Sequence, residues 1–150
     1  MKLAGVMVAA TMAVTLAATC VTGLIDQSST AVARACGARI AAVAAAEYAD
    51  GCVVNSDRIL TGLTVPGNVR MIVFGTAPGN GGTTHCTGMY TIQYNDGRNE
   101  TYFTIAPLGA DGPGPARGSP LTLYPGRYVI HISIRPVDGR MMALIGPEAD

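Results

Sequence analysis

The chain has 150 residues, with ten acidic and ten basic side chains and no formal net charge, and only 13% of its residues are charged. So sparse and balanced a charge provides no basic surface for a nucleic acid, and we expect no nucleic-acid partner. Aromatic residues are few and tryptophan is absent, so the core must be built from valine, isoleucine, leucine and methionine.

An uncharged apolar run without proline extends from Leu3 to Ile25. As a helix its 23 residues would measure about 34 Å, enough to cross the roughly 30 Å hydrocarbon core of a bilayer. We interpret residues 1–25 as a transmembrane or signal-anchor helix in contact with membrane lipid. Cleavage as a secretory signal, with Lys2 ahead of the run and small residues at Ala17 and Ala18, stays an alternative.

Small residues recur four positions apart within this run, which would place them on one face of a helix. They are Gly5, Ala9, Ala13 and Ala17. Such a face lets helix backbones approach closely, in lipid or in a bundle. The same spacing also arises where alanine simply fills apolar positions, so a helix-packing role and a compositional origin are both open.

Residues 26–50 are interpreted as an amphipathic continuation of the helix. A polar cluster from Asp26 to Thr30 is followed by a stripe at helical spacing, formed by Val32, Cys36, Ile40 and Val43 with Ala44 and Tyr48 beside it. The opposite side is mostly alanine with Arg34. The polar cluster could mark a kink or a new helix cap, and Gly51 is a plausible end of the helix.

Residues 51–150 change to short β-branched runs separated by glycine and proline, which predicts a β-rich head. The fold class expected is therefore α+β, with a long N-terminal helix and a small antiparallel β-sandwich-like head. The strands expected are Cys52–Leu60, Val69–Phe74, Met89–Tyr94, Thr101–Ile105, Leu121–Leu123, Tyr128–Ile134 and Met141–Ile145. Between them, 77–84 and 107–120 are expected to be loops, and we interpret the second as mobile.

The sequence contains no recognisable catalytic or metal-binding motif. The four cysteines, at positions 20, 36, 52 and 86, include no CxxC pair, and the adjacent His85 and Cys86 would point to opposite faces of a strand. The acids of the head fall at turns or strand ends, where we expect them to be solvated: Asp57, Asp96, Glu100, Asp111 and Asp138. We therefore expect no catalytic residue, no cofactor and no metal.

Two features of the head would make sense outside the cytoplasm. Asn99, Glu100 and Thr101 form an N-x-[ST] sequon in a predicted hairpin turn, where the alternative is simply a polar turn. In an oxidising compartment Cys52 and Cys86, which flank the first predicted strands, would be the natural disulfide pair. Both features favour an extracytoplasmic head.

The layout as a whole resembles the archaeal type IV pilin-like proteins, including archaellin-type subunits. The resemblance is carried by the helical pattern of Leu3–Tyr48 and by two strand phrases, VPGNVRMIVFG at 65–75 and LYPGRYVIHISI at 123–134. It implies a filament core of helices packed through small-residue faces, with the heads outside. Ala33 and Gly37 would then join Gly5, Ala9, Ala13 and Ala17 at that interface.

Two functions follow as hypotheses. The first is a non-enzymatic pilin-like surface or filament (accessory) subunit, anchored by its N-terminal helix and assembling with itself or with other pilin-like subunits. The second is a secreted or membrane-tethered β-sandwich binding module whose ligand lies in the loops 76–84 and 107–120.

Overall fold

The computed structural model describes residues 2–50, 57–76, 87–113 and 117–149, with side chains described from Ile25 to Glu148. Within these ranges one helix, α1, is followed by eight strands. Their bounds are α1 Lys2–Ala49, β1 Asp57–Val65, β2 Val69–Phe74, β3 Met89–Tyr94, β4 Asn99–Phe103, β5 Leu108–Ala110, β6 Leu121–Leu123, β7 Gly126–Val137 and β8 Arg140–Ala149.

Helix α1 is continuous, with no interruption at Gly23 or at the polar cluster of residues 26–30. Its side chains from Ile25 to Ser28 are exposed, and Thr30 is the first buried one among those described. Among residues 25–148, the range whose side chains are described, no helix combines the length and the apolarity that crossing a membrane requires.

The expected buried stripe of α1 is confirmed except at Val32: Cys36, Ile40 and Ala44 are buried, and Val43 and Tyr48 are partly buried against the core. Val32 is 44% exposed, and the core residues of the helix are Ala33, Cys36, Ile40, Ala41 and Ala44. Ala33, Cys36, Ile40 and Ala44 follow one another at intervals of three or four, and Ala41 is eight residues from Ala33, so all five share one face. The helix is therefore rotated about its axis so that Ala33 and Ala41, rather than Val32, face the core.

The head consists of two four-stranded sheets, with strand orders β1-β7-β8-β5 and β4-β3-β2-β6. All pairings are antiparallel except that of β5 with β8, which is parallel. The buried face of α1 and residues from both sheets form one hydrophobic core. The α+β class with a β-sandwich-like head is thus confirmed.

Strands with strong local signals lie where the sequence predicts them. β2, β3 and β6 have the expected bounds, and the Tyr90, Ile92 and Tyr94 face of YTIQY is buried, although Thr91 on the other face is buried as well. β7 and β8 include the expected segments and are longer at both ends. β1 begins at Asp57 and continues to Val65, across a register shift at which Gly62 has a φ of 69°.

The expected loop 107–120 is partly wrong. It contains β5, where Leu108 is fully buried and pairs with Ala143 of β8. The amide of Ala110 donates to the carbonyl of Ser119 at 2.7 Å, which brings the two described ends of the segment together. The described ends of this segment are therefore folded onto the sheet. A three-residue strand paired with a distant one leaves almost no local signal.

Three turns lie together at one end of the head, which we call the base: residues 66–68, 95–98 and 124–126. The amide of Asn95 donates to the carbonyl of Asn68 at 3.0 Å, and Val65 pairs with Gly126. The side-chain amide of Asn68 is 3.4 Å from the hydroxyl of Thr30, the first buried residue of α1. Helix α1 therefore enters the head at the base, and its last turns lie at the opposite end.

Candidate functional site

Several predicted site residues lie outside the described part of the chain. The disulfide candidates Cys52 and Cys86 and the loop 77–84 are not described, and the helix-packing candidates are described in backbone only: Gly5, Ala9, Ala13 and Ala17. The disulfide and the N-terminal helix-packing face therefore stay predictions.

The most extensive polar arrangement among the described residues is centred on one carboxylate of β4. Glu100 accepts hydrogen bonds from Arg34 of α1, whose Nε and Nη2 lie 2.9 Å and 2.5 Å from its two oxygens. The hydroxyls of Tyr94 and Tyr102 donate to the same carboxylate, at 3.0 Å and 2.8 Å. We call these four residues the Glu100 cluster. It joins the helix to the β4 edge of the second sheet.

The cluster corrects one expectation. Glu100 is expected to be a solvated acid, and its side chain is only 21% exposed. Arg34, on the side of the helix opposite the expected stripe, is 51% exposed and forms a bidentate ion pair with Glu100. The period-two alternation of β4 places Glu100 and Tyr102 on one face, and this alternation was the signal available in the sequence for a carboxylate beside a partly buried tyrosine.

The electrostatics of the cluster stabilise the ionised carboxylate. The Arg34 hydrogen bonds lower the pKa of Glu100 to about 2, with further help from both tyrosine hydroxyls against the cost of desolvation. Burial and the bond to Glu100 raise the pKa of Tyr94 to about 12, and they raise the pKa of Tyr102 as well. At neutral pH no proton moves within such a group, so it is suited to holding two elements together rather than to acid–base catalysis.

An aromatic stack continues from the cluster into the core. The ring of Tyr90 lies between those of Phe74 and Tyr102, with centroids 5.4 Å and 5.1 Å away. Helix α1 packs on this stack at Gly37, where a Cβ atom would come within 2.6 Å of Cε2 of Tyr90. Glycine is required here for close approach of helix and ring.

The expectation that Ala33 and Gly37 form an interface between subunits is therefore corrected. Ala33 has no exposed surface, and Gly37 is buried against Tyr90 of its own head. Small residues at these two positions serve packing within the molecule. Their spacing alone could not distinguish a partner helix from an internal sheet.

The sequon lies at the start of β4 rather than in the turn. Asn99 is exposed and pairs with Gln93, while the Thr101 hydroxyl is 3.1 Å from that of Thr91. β4 is an edge strand of its sheet. The Asn99 side chain is thus accessible, whereas the central Glu100 is used by the cluster.

Cys36 is a free and buried thiol, and burial raises its pKa. It borders a groove of about 220 Å³ between α1 and β1, lined by Val32, Ala35, Cys36, Arg39, Gly62, Leu63 and Thr64. A buried thiol whose pKa is raised is a poor nucleophile. The cysteine therefore acts as a small apolar residue of the core.

Metal ligands do not converge within the described ranges, where no group of three or more histidine, cysteine, aspartate or glutamate residues could hold an ion. His131 and Glu148 do lie close together, with Nε2 and Oε2 3.7 Å apart on the outer surface of β7 and β8. A metal site needs more converging ligands than these two.

Comparison of the chain with protein-family models, with curated proteins and with solved structures finds no match in any of the three.

Proposed function

We propose that the chain is a non-enzymatic, pilin-like surface or filament subunit, anchored by its N-terminal helix with the head outside the cytoplasm. The observation that carries the proposal is the division of α1 at Thr30. From that residue onward the helix is part of the core of the head, and before it comes the uncharged run Leu3–Ile25. An uncharged apolar helix of this length calls for a lipid or protein environment.

The Glu100 cluster supports the same function. Arg34 and Glu100 join α1 to β4 close to the point where the helix enters the head. A subunit held by its helix must transmit force between the helix and the head. A bidentate ion pair at that junction resists the separation of the two. The low pKa of Glu100 keeps this contact ionised over the physiological range.

The partners under this proposal are membrane lipid and other pilin-like subunits, either copies of this chain or related ones. The face of Gly5, Ala9, Ala13 and Ala17 would contact the neighbouring helix. Ala33 and Gly37 are left out, because they are buried against the head.

Fractionation of native cells tests the anchor. We expect the protein in the membrane or filament fraction after an alkaline carbonate wash, with filaments or membrane-bound particles in negative stain. N-terminal sequencing should give a mature chain that retains most of Leu3–Ile25. A freely soluble mature protein beginning after residue 25 would contradict the proposal and favour the secreted binding module.

Substitution tests the helix-packing face separately. Ala9→Leu combined with Ala13→Leu should abolish assembly, because two bulky side chains would separate the backbones. The matched control is Ala10→Leu with Val14→Leu, about 100° around the helix, which should assemble normally. Equal assembly of both double variants would exclude packing through this face.

A further inference from the structure

Three neighbouring side chains at the base of the head are exposed to solvent. Tyr124 is 60% exposed, and Pro125 and Arg127 beside it are exposed as well. The hydroxyl of Tyr128 donates to the carbonyl of Tyr124 at 2.9 Å, which closes the turn on itself. The turn therefore holds an aromatic ring and a guanidinium group at the end of the head where α1 enters.

Two arginines near the base form ion pairs within the head, whereas the exposed Arg70 and Arg127 take part in none of those found among the described residues. Arg34 is paired with Glu100, and Arg98 with Asp96 through an Nε contact of 2.6 Å. No ion pair among the described residues includes Arg127. Its charge is thus available to an anionic group outside the molecule.

The short distance between the apolar run and the base indicates which partner the base would contact. Ile25 ends the run, and Thr30, which contacts the turn 66–68 through Asn68, follows five residues later. Five residues of helix measure about 8 Å, and the headgroup layer on each side of a bilayer is about 5–8 Å thick. If the run crosses the hydrocarbon core, the base must lie at the headgroups. Tyrosine and arginine are the side chains that favour this layer.

We infer that the base of the head is a membrane-contacting surface, on which Tyr124 inserts among lipid headgroups and Arg127 binds a lipid phosphate. This inference rests on the proposed anchor, since the apolar run is what brings the base to the bilayer.

The chain contains no tryptophan, so a single introduced tryptophan reports its own depth. Three full-length variants are reconstituted in vesicles of phosphatidylcholine and phosphatidylglycerol, with bromine placed near either end of the acyl chains. Val14→Trp, at the middle of the apolar run, tests the anchor. Tyr124→Trp tests the base. Phe103→Trp, 78% exposed at the end of β4 away from the base, is the matched control.

Bromine near the headgroup should quench about half of the emission of the Tyr124→Trp variant and none of that of the Phe103→Trp variant, as expected for an interfacial aromatic residue. Bromine near the chain end should quench the Val14→Trp variant. Adding Arg127→Glu to Tyr124→Trp should reduce the quenching at least two-fold, because an acid repels the phosphates.

The outcomes separate the two proposals. Quenching at position 14 without quenching at position 124 would overturn the contact of the base and leave the anchor standing. Absence of quenching at position 14 would overturn the anchor itself. Equal quenching at positions 103 and 124 would show that the head lies on its side, and it too would overturn the specific role of the base.

Discussion

Gly37 of α1 lies against the ring of Tyr90 so closely that a Cβ at position 37 would be 2.6 Å from the ring carbon Cε2. The ring cannot move aside, because it is stacked between Phe74 and Tyr102. This contact sets the distance between the helix and the second sheet, and the Glu100 cluster lies on the same face of that sheet.

Gly37→Ala should therefore destabilise the protein, although alanine is the better helix former by about 1 kcal/mol. Overpacking of a tight contact costs about 1–3 kcal/mol, so after the gain in helix propensity we expect a net loss of up to about 2 kcal/mol in the free energy of unfolding. Urea denaturation measures it.

Gly67→Ala is the control for that substitution, since a Cβ there would meet nothing within 4 Å and its backbone is not left-handed. A Gly37→Ala variant as stable as the wild type would show that the helix can withdraw from the ring at no cost.

Glu100→Gln should make the stability of the head less dependent on pH. The pKa of Glu100 is about 2 in the folded protein and near the ordinary 4.5 when unfolded, so its ionisation stabilises the fold. That contribution is fully present above about pH 4.5 and is lost as the pH falls toward 2. Allowing for the partial exposure of the side chain, we expect a loss of about 1–2 kcal/mol at pH 7.

The measurement is the free energy of unfolding of wild type and Glu100→Gln between pH 7 and pH 2. The difference between the two should shrink toward zero at the acid end. Glu148→Gln is the control, because its side chain is 72% exposed and it takes no part in the cluster. A difference in the free energy of unfolding that is constant with pH would mean that the charge of Glu100 does not contribute to stability.

Leu108→Ala should destabilise the protein by about 2–5 kcal/mol, the usual cost of emptying a fully buried leucine site. Ile105→Ala, three residues earlier and 69% exposed, should change stability by less than about 0.5 kcal/mol. Thermal unfolding of the two variants checks whether β5 belongs to the core. Equal effects of the two substitutions on stability would indicate that β5 is not part of the core and that the segment is a mobile loop.

Cys36 should react slowly with iodoacetamide in the folded protein. Its side chain is 5% exposed and burial raises its pKa, so both access and the thiolate fraction are low. Peptide mass spectrometry separates Cys36 from the other cysteines, and labelling should become complete in denaturant. The variant Val32→Cys places a thiol where the native side chain is 44% exposed, and this thiol should be labelled rapidly without denaturant. Similar rates at positions 32 and 36 would contradict the burial of Cys36.

Features that depend on neighbouring residues could be predicted from the amino-acid sequence. The helical pattern through Tyr48 and the strands Val69–Phe74 and Met89–Tyr94 follow from periodicity, because one apolar face recurs at the spacing of the element. The antiparallel, β-rich head followed in the same way from the turn residues between strands.

Contacts between residues far apart in the chain became evident only from the packing of the helix and the two sheets. Whether Ala33 and Gly37 face another chain or an internal sheet depends on how the helix is rotated about its axis, and alanine on several faces leaves that rotation undetermined by pattern. The pairing of Arg34 with Glu100 joins residues 66 positions apart, and β5 depends on its parallel alignment with β8. Such contacts arise from the packing of whole elements, which leaves little trace in any short stretch of sequence.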